Sequence, residues 1–193
     1  YELTSNMYKP YACGLVVHAA INGCIELKRE HAIQPANVER IALKVSPLVL
    51  ELTARKTPQT GLEGKFSVYH AAAAALIHGA AGEPQFSDAC VRDPEVVALR
   101  GRVSAQAAAS IRRTEAYVTI ALKDGRTYSK HVAHALGTLQ RPMSDADLEA
   151  KFKGLTAGIL TPAQIDEVIT LCWQLTALED AGALARAAVP RPY

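Results

Sequence analysis

The sequence predicts an α+β fold, in which a small domain with an antiparallel sheet and packed helices is followed by a purely helical segment. The stretch "VERIALKV" alternates apolar and polar side chains, as a half-buried strand does. The stretch "AYVTIALKDGRTYSKHV" contains two alternating runs around Asp124-Gly125, a pattern typical of a β-hairpin. After Pro142 only helical patterns remain. We therefore expect an α+β domain over residues 1–137 and a helical segment over residues 138–193.

Between these landmarks the first domain shows helix patterns whose ends are marked by capping residues. Ser67 is a suitable N-cap, and Gly79 suits the end of the same helix. The run Ala71 to Ala75 indicates that this helix packs closely against a neighbour. The predicted elements, in order, are a helix over residues 15–28, a strand within "VERIALKV", a short helix in "LVLELTA", a functional loop over residues 55–65, a helix over residues 67–77, a short helix over residues 93–101, and the hairpin.

The helical segment is marked by two capping boxes, in which a hydroxyl side chain is followed three residues later by an acid or amide. Ser144 with Asp147 forms the first, and Thr161 with Gln164 forms the second. These signals predict helices near residues 145–153, 162–178 and 182–188.

Composition limits the classes of function. Of the 193 residues, 49% are hydrophobic, which is enough for a real core. The net charge is only +2 and no basic tract occurs, so we expect no nucleic-acid binding. No apolar run approaches the ~18 residues of a membrane span, and the start lacks a basic leader, so we expect a cytoplasmic protein without membrane contact. The chain does not begin with Met, and we expect it to be part of a longer protein.

Metal and nucleotide motifs are missing from the sequence. The four cysteines lie far apart without a C-x-x-C pair, which argues against a zinc site or a disulfide framework. His131 and His134 lie three residues apart, where a predicted strand passes into a loop. They are weak candidates for the ligands of a metal site. No glycine-rich phosphate loop occurs. We therefore expect neither a metal nor a nucleotide.

Lys9 is the first candidate for chemistry. It lies in "YKPY" just before the first helix, where Pro10 stiffens the loop and Tyr8 and Tyr11 could wall the ammonium. A lysine held in this way can bind a carboxylate or take part in proton transfer. The alternative is an ordinary exposed loop lysine.

The second candidate is the helix start in "GKFSVYHAA". Free backbone N–H groups and the positive end of the helix dipole favour an anion there. Lys65 precedes this start, Ser67 caps it, and the hydroxyl of Tyr69 could reach the same anion. His18, four residues after Gly14, is a further candidate for substrate binding. The alternatives are that Tyr69 is packed on the core and that His18 is a structural histidine.

Five segments taken together resemble the C-terminal half of the MmgE/PrpD superfamily. They are "YKPYACGLVVHAAI", "GLEGKFSVYHAAAAALIHG", "RDPEVVALRGRV", "VTIALKDGRTYSKHV" and "PMSDADLEAKF", in that order. The superfamily includes 2-methylcitrate dehydratase, cis-aconitate decarboxylase and iminodisuccinate epimerase. The resemblance implies a small α+β lid domain inserted before the last helices of an all-helical domain, with the active site between the two domains and no organic cofactor.

On this resemblance Lys9 takes the position of the family's active-site lysine. Tyr69 takes that of the active-site tyrosine in the motif "K-F-S-x-x-Y", to which Lys65 and Ser67 also belong. The resemblance implies a small di- or tricarboxylate substrate, a partnering N-terminal helical domain with the catalytic histidines, which this chain lacks, and a homodimer in the full-length form. Some family members carry a histidine where Gly14 stands here, which weakens the decarboxylase interpretation.

The reaction that we expect from the resemblance is dehydration, a lyase activity on a hydroxy-tricarboxylate such as 2-methylcitrate. Removing a proton beside a carboxylate builds negative charge that cations and hydroxyl groups stabilise. Epimerisation, an isomerase activity, starts with the same step and stays open, as does decarboxylation. A non-catalytic binding or assembly module that retains the lid fold is the remaining alternative. The 193-residue chain alone is expected to be inactive.

Overall fold

The structure is a computed structural model that describes residues 2–191, and these residues form two compact units. The first unit extends to Met143 and the second begins at Ser144. The helices of the first unit are α1 (His18–His31), α2 (Pro47–Thr53), α3 (Gly61–Gly64), α4 (Val68–His78), α5 (Asp88–Arg92) and α6 (Pro94–Arg100), and its strands are β1 (Val38–Val45), β2 (Val103–Ala107), β3 (Ala116–Leu122) and β4 (Thr127–Val132). The α+β fold class is confirmed.

The four strands form one mixed sheet in the order β2-β1-β3-β4. Strand β1 pairs antiparallel with β3, and β3 pairs antiparallel with β4, as the sequence predicts. Gly125 has φ +88° in the turn of the hairpin, a conformation that glycine adopts without strain. Strand β2 was not predicted, and it adds a parallel pairing with β1. The sheet therefore contains one parallel edge strand in addition to the expected antiparallel strands.

Helices α1 and α4 form the layer that covers one face of the sheet. All five alanines from Ala71 to Ala75 are fully buried in this layer, which confirms the close packing expected of α4. Gly23 allows α1 to pack closely on the sheet, because any side chain at this position would collide with Val118. A Cβ atom there would lie only 2.4 Å from Cγ2 of Val118. The opposite face of the sheet is open, and Lys44 and Tyr117 are exposed on it.

Most predicted helices of the first unit lie where the sequence places them. Ser67 caps α4 and Gly79 ends it with φ +68°, while Asp93 caps α6 through hydrogen bonds from two backbone N–H groups. The region over residues 55–65 is not wholly a loop, because it contains the one-turn helix α3 capped by Thr60. This turn was missed because four residues are too few to show a helical period.

The second unit contains the helices α7 (Asp145–Thr156), α8 (Pro162–Trp173) and α9 (Gly182–Ala187). Both predicted capping boxes are present, at Ser144 and at Thr161. The helix predicted over residues 162–178 ends earlier, because Gln174 leaves the helical conformation and a 3-10 turn follows. Several large apolar side chains of this unit are exposed, namely Leu155, Ile159, Trp173, Leu175 and Val189.

Among residues 2–191, no helix is both long enough and apolar enough to cross a membrane. Over the same range, no group of three or more histidine, cysteine or acidic side chains is arranged to hold a metal ion. His131 instead makes a hydrogen bond from Nε2 to Glu115, at 2.7 Å, and its ring stacks on Tyr117.

Candidate functional site

The loop that carries Lys9 is held by its backbone. The N–H of Tyr8 donates to the carbonyl of Gly137 at 2.9 Å, and the N–H of Ala12 donates to the carbonyl of Ala81 at 3.0 Å. Gly137 has φ +87°, and a Cβ atom there would lie 1.8 Å from the carbonyl oxygen of Tyr8. Only glycine fits this approach, so the chain on either side of Lys9 is fixed.

The Lys9 ammonium itself is exposed and, within residues 2–191, makes no hydrogen bond or ion pair. The two neighbouring tyrosines differ. Tyr8 is half exposed, whereas the hydroxyl of Tyr11 accepts a hydrogen bond from Asn22 at 2.6 Å and its ring meets the edge of His18. Tyr11 thus packs against α1 and anchors the loop, leaving a cation that is available to an anion.

Lys9 and Lys65 both lie close enough to Cys13 for their charges to act on its thiol. Burial raises the pKa of the Cys13 thiol to about 12, while the positive charges of Lys9 and Lys65 act in the opposite direction. The Lys65 ammonium also forms an ion pair with Glu83, with N–O distances of 3.1 and 2.9 Å. The predicted substrate-binding lysine is therefore already paired with a carboxylate.

Ser67 performs two tasks at the start of α4. Its hydroxyl oxygen accepts from the N–H of His70 at 3.1 Å, which is the predicted N-cap. The same hydroxyl donates to the carbonyl of Arg55 at 2.5 Å. Ser67 thereby ties the start of the helix to the loop before α3 and is fully buried in doing so. Its role is to position the helix start, where free N–H groups could meet an anion.

Tyr69 lies in the first turn of α4 with 6% of its surface exposed. Within the described residues its hydroxyl has no hydrogen-bond partner, and Lys56 Nζ lies 5.8 Å from the centre of its ring. Tyr69 is the second residue after Ser67, whereas the motif "K-F-S-x-x-Y" places the tyrosine third. The third residue here is His70, so the motif alone does not decide which of the two carries the role.

His70 is fully buried on another side of the same turn. Its Nε2 lies 2.8 Å from the carbonyl oxygen of Gln85, to which it must donate, so Nδ1 carries no proton in the neutral ring. Nδ1 is buried without a hydrogen-bond partner among the described residues. Burial lowers the pKa of His70, with the hydrogen bond to Gln85 acting against it. His70 is therefore a neutral ring at pH 7.

His18, the remaining predicted substrate-binding residue, is the first residue of α1 and is fully buried. Its observed neighbour is the ring of Tyr11, at 5.1 Å between centroids. A Cβ atom on Gly14 would lie 4.0 Å from the carbonyl oxygen of Lys65, so this turn does approach the start of α4. The role of His18 in substrate binding stays a prediction.

The structure thus brings Lys9, Lys65 and the start of α4 to one region around Cys13, with Tyr69 in the first turn of that helix. No hydrogen bond joins Lys9 to Tyr69 within residues 2–191. Sequence reasoning missed Lys56, whose side chain extends over the ring of Tyr69. The available signal was its place in the loop over residues 55–65, since functional residues concentrate on such loops.

Comparison with known proteins agrees with the earlier resemblance. The profile of the MmgE/PrpD C-terminal domain matches residues 11–175. Cis-aconitate decarboxylase of Mus musculus is 26% identical over 189 residues, which cover 93% of this chain and 38% of that protein. Cis-aconitate decarboxylase of Homo sapiens is 26% identical over 174 residues, covering 88% of this chain and 36% of that protein.

The chain spans less than two fifths of the length of these curated relatives. The family profile, in contrast, covers well over half of the chain and includes Cys13, Lys65, Ser67 and Tyr69. The chain therefore belongs to the MmgE/PrpD family, of which it contains the C-terminal domain.

Proposed function

We propose that this chain is the lid part of a cofactor-independent lyase that acts on a small tricarboxylate by proton transfer next to a carboxylate. The observation that carries the proposal is the concentration of positive charge around the start of α4. Lys9 has no ion-pair partner in the described residues, and the backbone N–H groups at the start of α4 carry the positive end of the helix dipole. Lys65 acts on the same Cys13 thiol as Lys9, although Glu83 offsets its charge. This is the arrangement that a substrate with several carboxylates requires.

The chemistry follows from the substrate. When a proton beside a carboxylate is removed, negative charge spreads onto that carboxylate, and nearby cations lower the energy of this state. Lys9 would hold the carboxylate, and the hydroxyl of Tyr69 would give or take a proton within reach of the same anion. The remaining acid–base groups would come from the helical domain that the family places before this one.

Dehydration of a hydroxy-tricarboxylate such as 2-methylcitrate is the reaction that we favour. Decarboxylation of cis-aconitate is the second candidate, because both curated relatives bear that name. Gly14 argues against it, since it stands where some family members carry a histidine. Epimerisation of a polycarboxylate such as iminodisuccinate begins with the same proton abstraction and is distinguished from both by its product.

The test uses the full-length protein that carries this chain. It is incubated separately with 2-methylcitrate, cis-aconitate and iminodisuccinate, and water loss, CO2 release and racemisation are measured. We expect conversion of one tricarboxylate, and a fall in turnover of about tenfold or more in each of the variants Lys9→Ala and Tyr69→Phe. Circular dichroism should show that both variants remain folded, because Lys9 is exposed and the Tyr69 hydroxyl makes no hydrogen bond among residues 2–191.

Two results would contradict the proposal in different ways. Wild-type turnover in both variants would show that neither Lys9 nor Tyr69 takes part in the reaction. The variant His70→Phe, measured in parallel, would show whether the third residue of the motif carries the role instead. No conversion of any carboxylate by the intact protein would favour a non-catalytic module that retains the lid fold.

A further inference from the structure

Lys56 lies on a loop that is held at several points. Arg55 contributes two of them: its carbonyl accepts from Ser67, and its guanidinium forms an ion pair with Glu63 at 3.0 Å. The second oxygen of Glu63 accepts from the N–H of Gln59 at 2.7 Å, and Pro58 is buried. The backbone on both sides of Lys56 is therefore anchored, although the residue itself is exposed.

The Lys56 side chain extends from this loop over the face of Tyr69. Its Nζ lies 5.8 Å from the ring centre, which is within the range of a cation–π contact. Within residues 2–191 Lys56 has no carboxylate partner, so its ammonium remains uncompensated. The ring of Tyr69 is buried and offers a fixed surface, so the charge is held next to the hydroxyl-bearing residue of the proposed site.

A comparison of the lysines shows why this position matters. Lys65 was the expected second cation, but Glu83 neutralises it at 2.9 Å. A substrate with two or three carboxylates gains more from a cation without a partner than from one that must first leave an ion pair. Lys9 and Lys56 are lysines of this region that have no such pair among the described residues.

We propose that Lys56 binds a second carboxylate of the substrate, so that Lys9 and Lys56 together determine that the site accepts a polycarboxylate. This inference rests on the proposed function, and it assigns to Lys56 a substrate-binding role beside Tyr69. The loop over residues 55–60 then acts as a specificity element, and its contacts with Ser67 and Glu63 keep the cation in place.

The experiment measures kcat and KM of the full-length protein with its tricarboxylate substrate, together with the affinity for tricarballylate, an unreactive tricarboxylate, by titration calorimetry. The variant Lys56→Met keeps the aliphatic stem over Tyr69 and removes the charge, and Lys56→Arg keeps a charge. Lys44→Met is the matched control, because Lys44 is an exposed lysine without an ion pair in the described chain and lies on the open face of the sheet.

We expect Lys56→Met to raise KM and to weaken tricarballylate binding by about tenfold, with kcat changed by less than about threefold. Lys56→Arg should recover most of both losses, and Lys44→Met should leave both unchanged. An unaltered KM in Lys56→Met, with an active wild type, would overturn the role of Lys56 and leave the proposed function standing. A wild type that neither converts a tricarboxylate nor binds tricarballylate would overturn both.

Discussion

Gly137 controls the position of Lys9 from more than a hundred residues away in the chain. Its φ of +87° and its contact with the carbonyl oxygen of Tyr8 leave no room for a side chain. Its carbonyl also receives the hydrogen bond from the N–H of Tyr8. The turn after the last strand thus helps to place the lysine, together with the anchors that Tyr11 and Ala12 provide on the other side of it.

Replacing Gly137 with alanine should therefore destabilise the protein and displace the Lys9 loop. The methyl group would collide with backbone at 1.8 Å, so a rearrangement is forced, and we expect a loss of about 2–4 kcal/mol in the free energy of unfolding. Urea denaturation measures this loss. Gly125→Ala is the matched control, because φ is +88° there but the space is open, and it should cost only about 1 kcal/mol. Equal losses in the two variants would contradict the steric explanation.

The pair Tyr69 and His70 shows the limit of sequence reasoning at this scale. Sequence correctly predicted a helix start with Ser67 as its cap, because N-capping depends on local chemistry. It could not predict that His70 would bond the carbonyl of Gln85 while Lys56 extends over Tyr69. Both contacts join segments that are distant in sequence, and their geometry depends on how the whole unit packs.

At the scale of elements, helix α1 is tied to strand β4 and to the turn after it by a partly buried ionic cluster. Glu26 accepts from Arg141 at 2.6 Å and lies 3.0 Å from Lys130, which also pairs with Glu30. Burial acts to raise the pKa of Glu26, but the hydrogen bonds from Arg141 and Lys130 outweigh it and hold the pKa below its usual value. The carboxylate is therefore more stable in the folded protein than in the unfolded chain.

This shift has a defined effect on the pH dependence of stability. Because the folded pKa is lowered, the stabilisation is present above the unfolded value of about 4.3 and is lost as the pH falls through the folded value. We expect Glu26→Gln to lower the free energy of unfolding by about 1–3 kcal/mol at pH 7, with the difference from wild type shrinking below about pH 4. Urea melts at pH 7 and pH 3.5 measure both quantities.

The control is Glu30→Gln, which removes a more exposed partner of the same Lys130. Exposed pairs contribute little, so its effect at pH 7 should stay below about 0.5 kcal/mol. A difference between Glu26→Gln and wild type that does not change with pH would show that the carboxylate is not the source of the stability.

The strands illustrate what a sequence pattern can and cannot predict about elements. Strand β1 was predicted because one face is buried and the other is exposed, which gives a clear alternation. Strand β2 has a single buried residue, Val103, and lies at the edge of the sheet, so "VSAQA" carries almost no apolar signal. Its formation depends on pairing with β1, a tertiary interaction that a local pattern does not contain.

At the scale of the whole molecule, the second unit exposes five large apolar side chains. Leu155, Ile159, Trp173, Leu175 and Val189 each expose between 46% and 59% of their surface. Large apolar side chains exposed together on a small unit are suited to cover by another part of a protein. Family membership supports the proposal that a preceding helical domain covers them in the full-length protein.

Trp173 provides a direct test, since it is the single tryptophan of the chain. In the 193-residue chain its fluorescence should be readily quenched by acrylamide, because 53% of its surface is exposed. Addition of the separately expressed upstream region should shift the emission to shorter wavelength and reduce quenching at least about twofold, as an apolar contact surface would. A red-shifted, fully quenchable emission in the presence of that region would contradict the proposed covering.

Gly23, where α1 comes against Val118, has a consequence for the helical layer on the sheet. A Cβ atom at residue 23 would lie 2.4 Å from Cγ2 of Val118, so a methyl group there would act as a wedge under the middle of α1. Helix α1 also packs against α4, so a shift of one helix would be transmitted to the helix that carries Tyr69. The depth at which this layer rests on the strands thus depends on a single missing carbon atom.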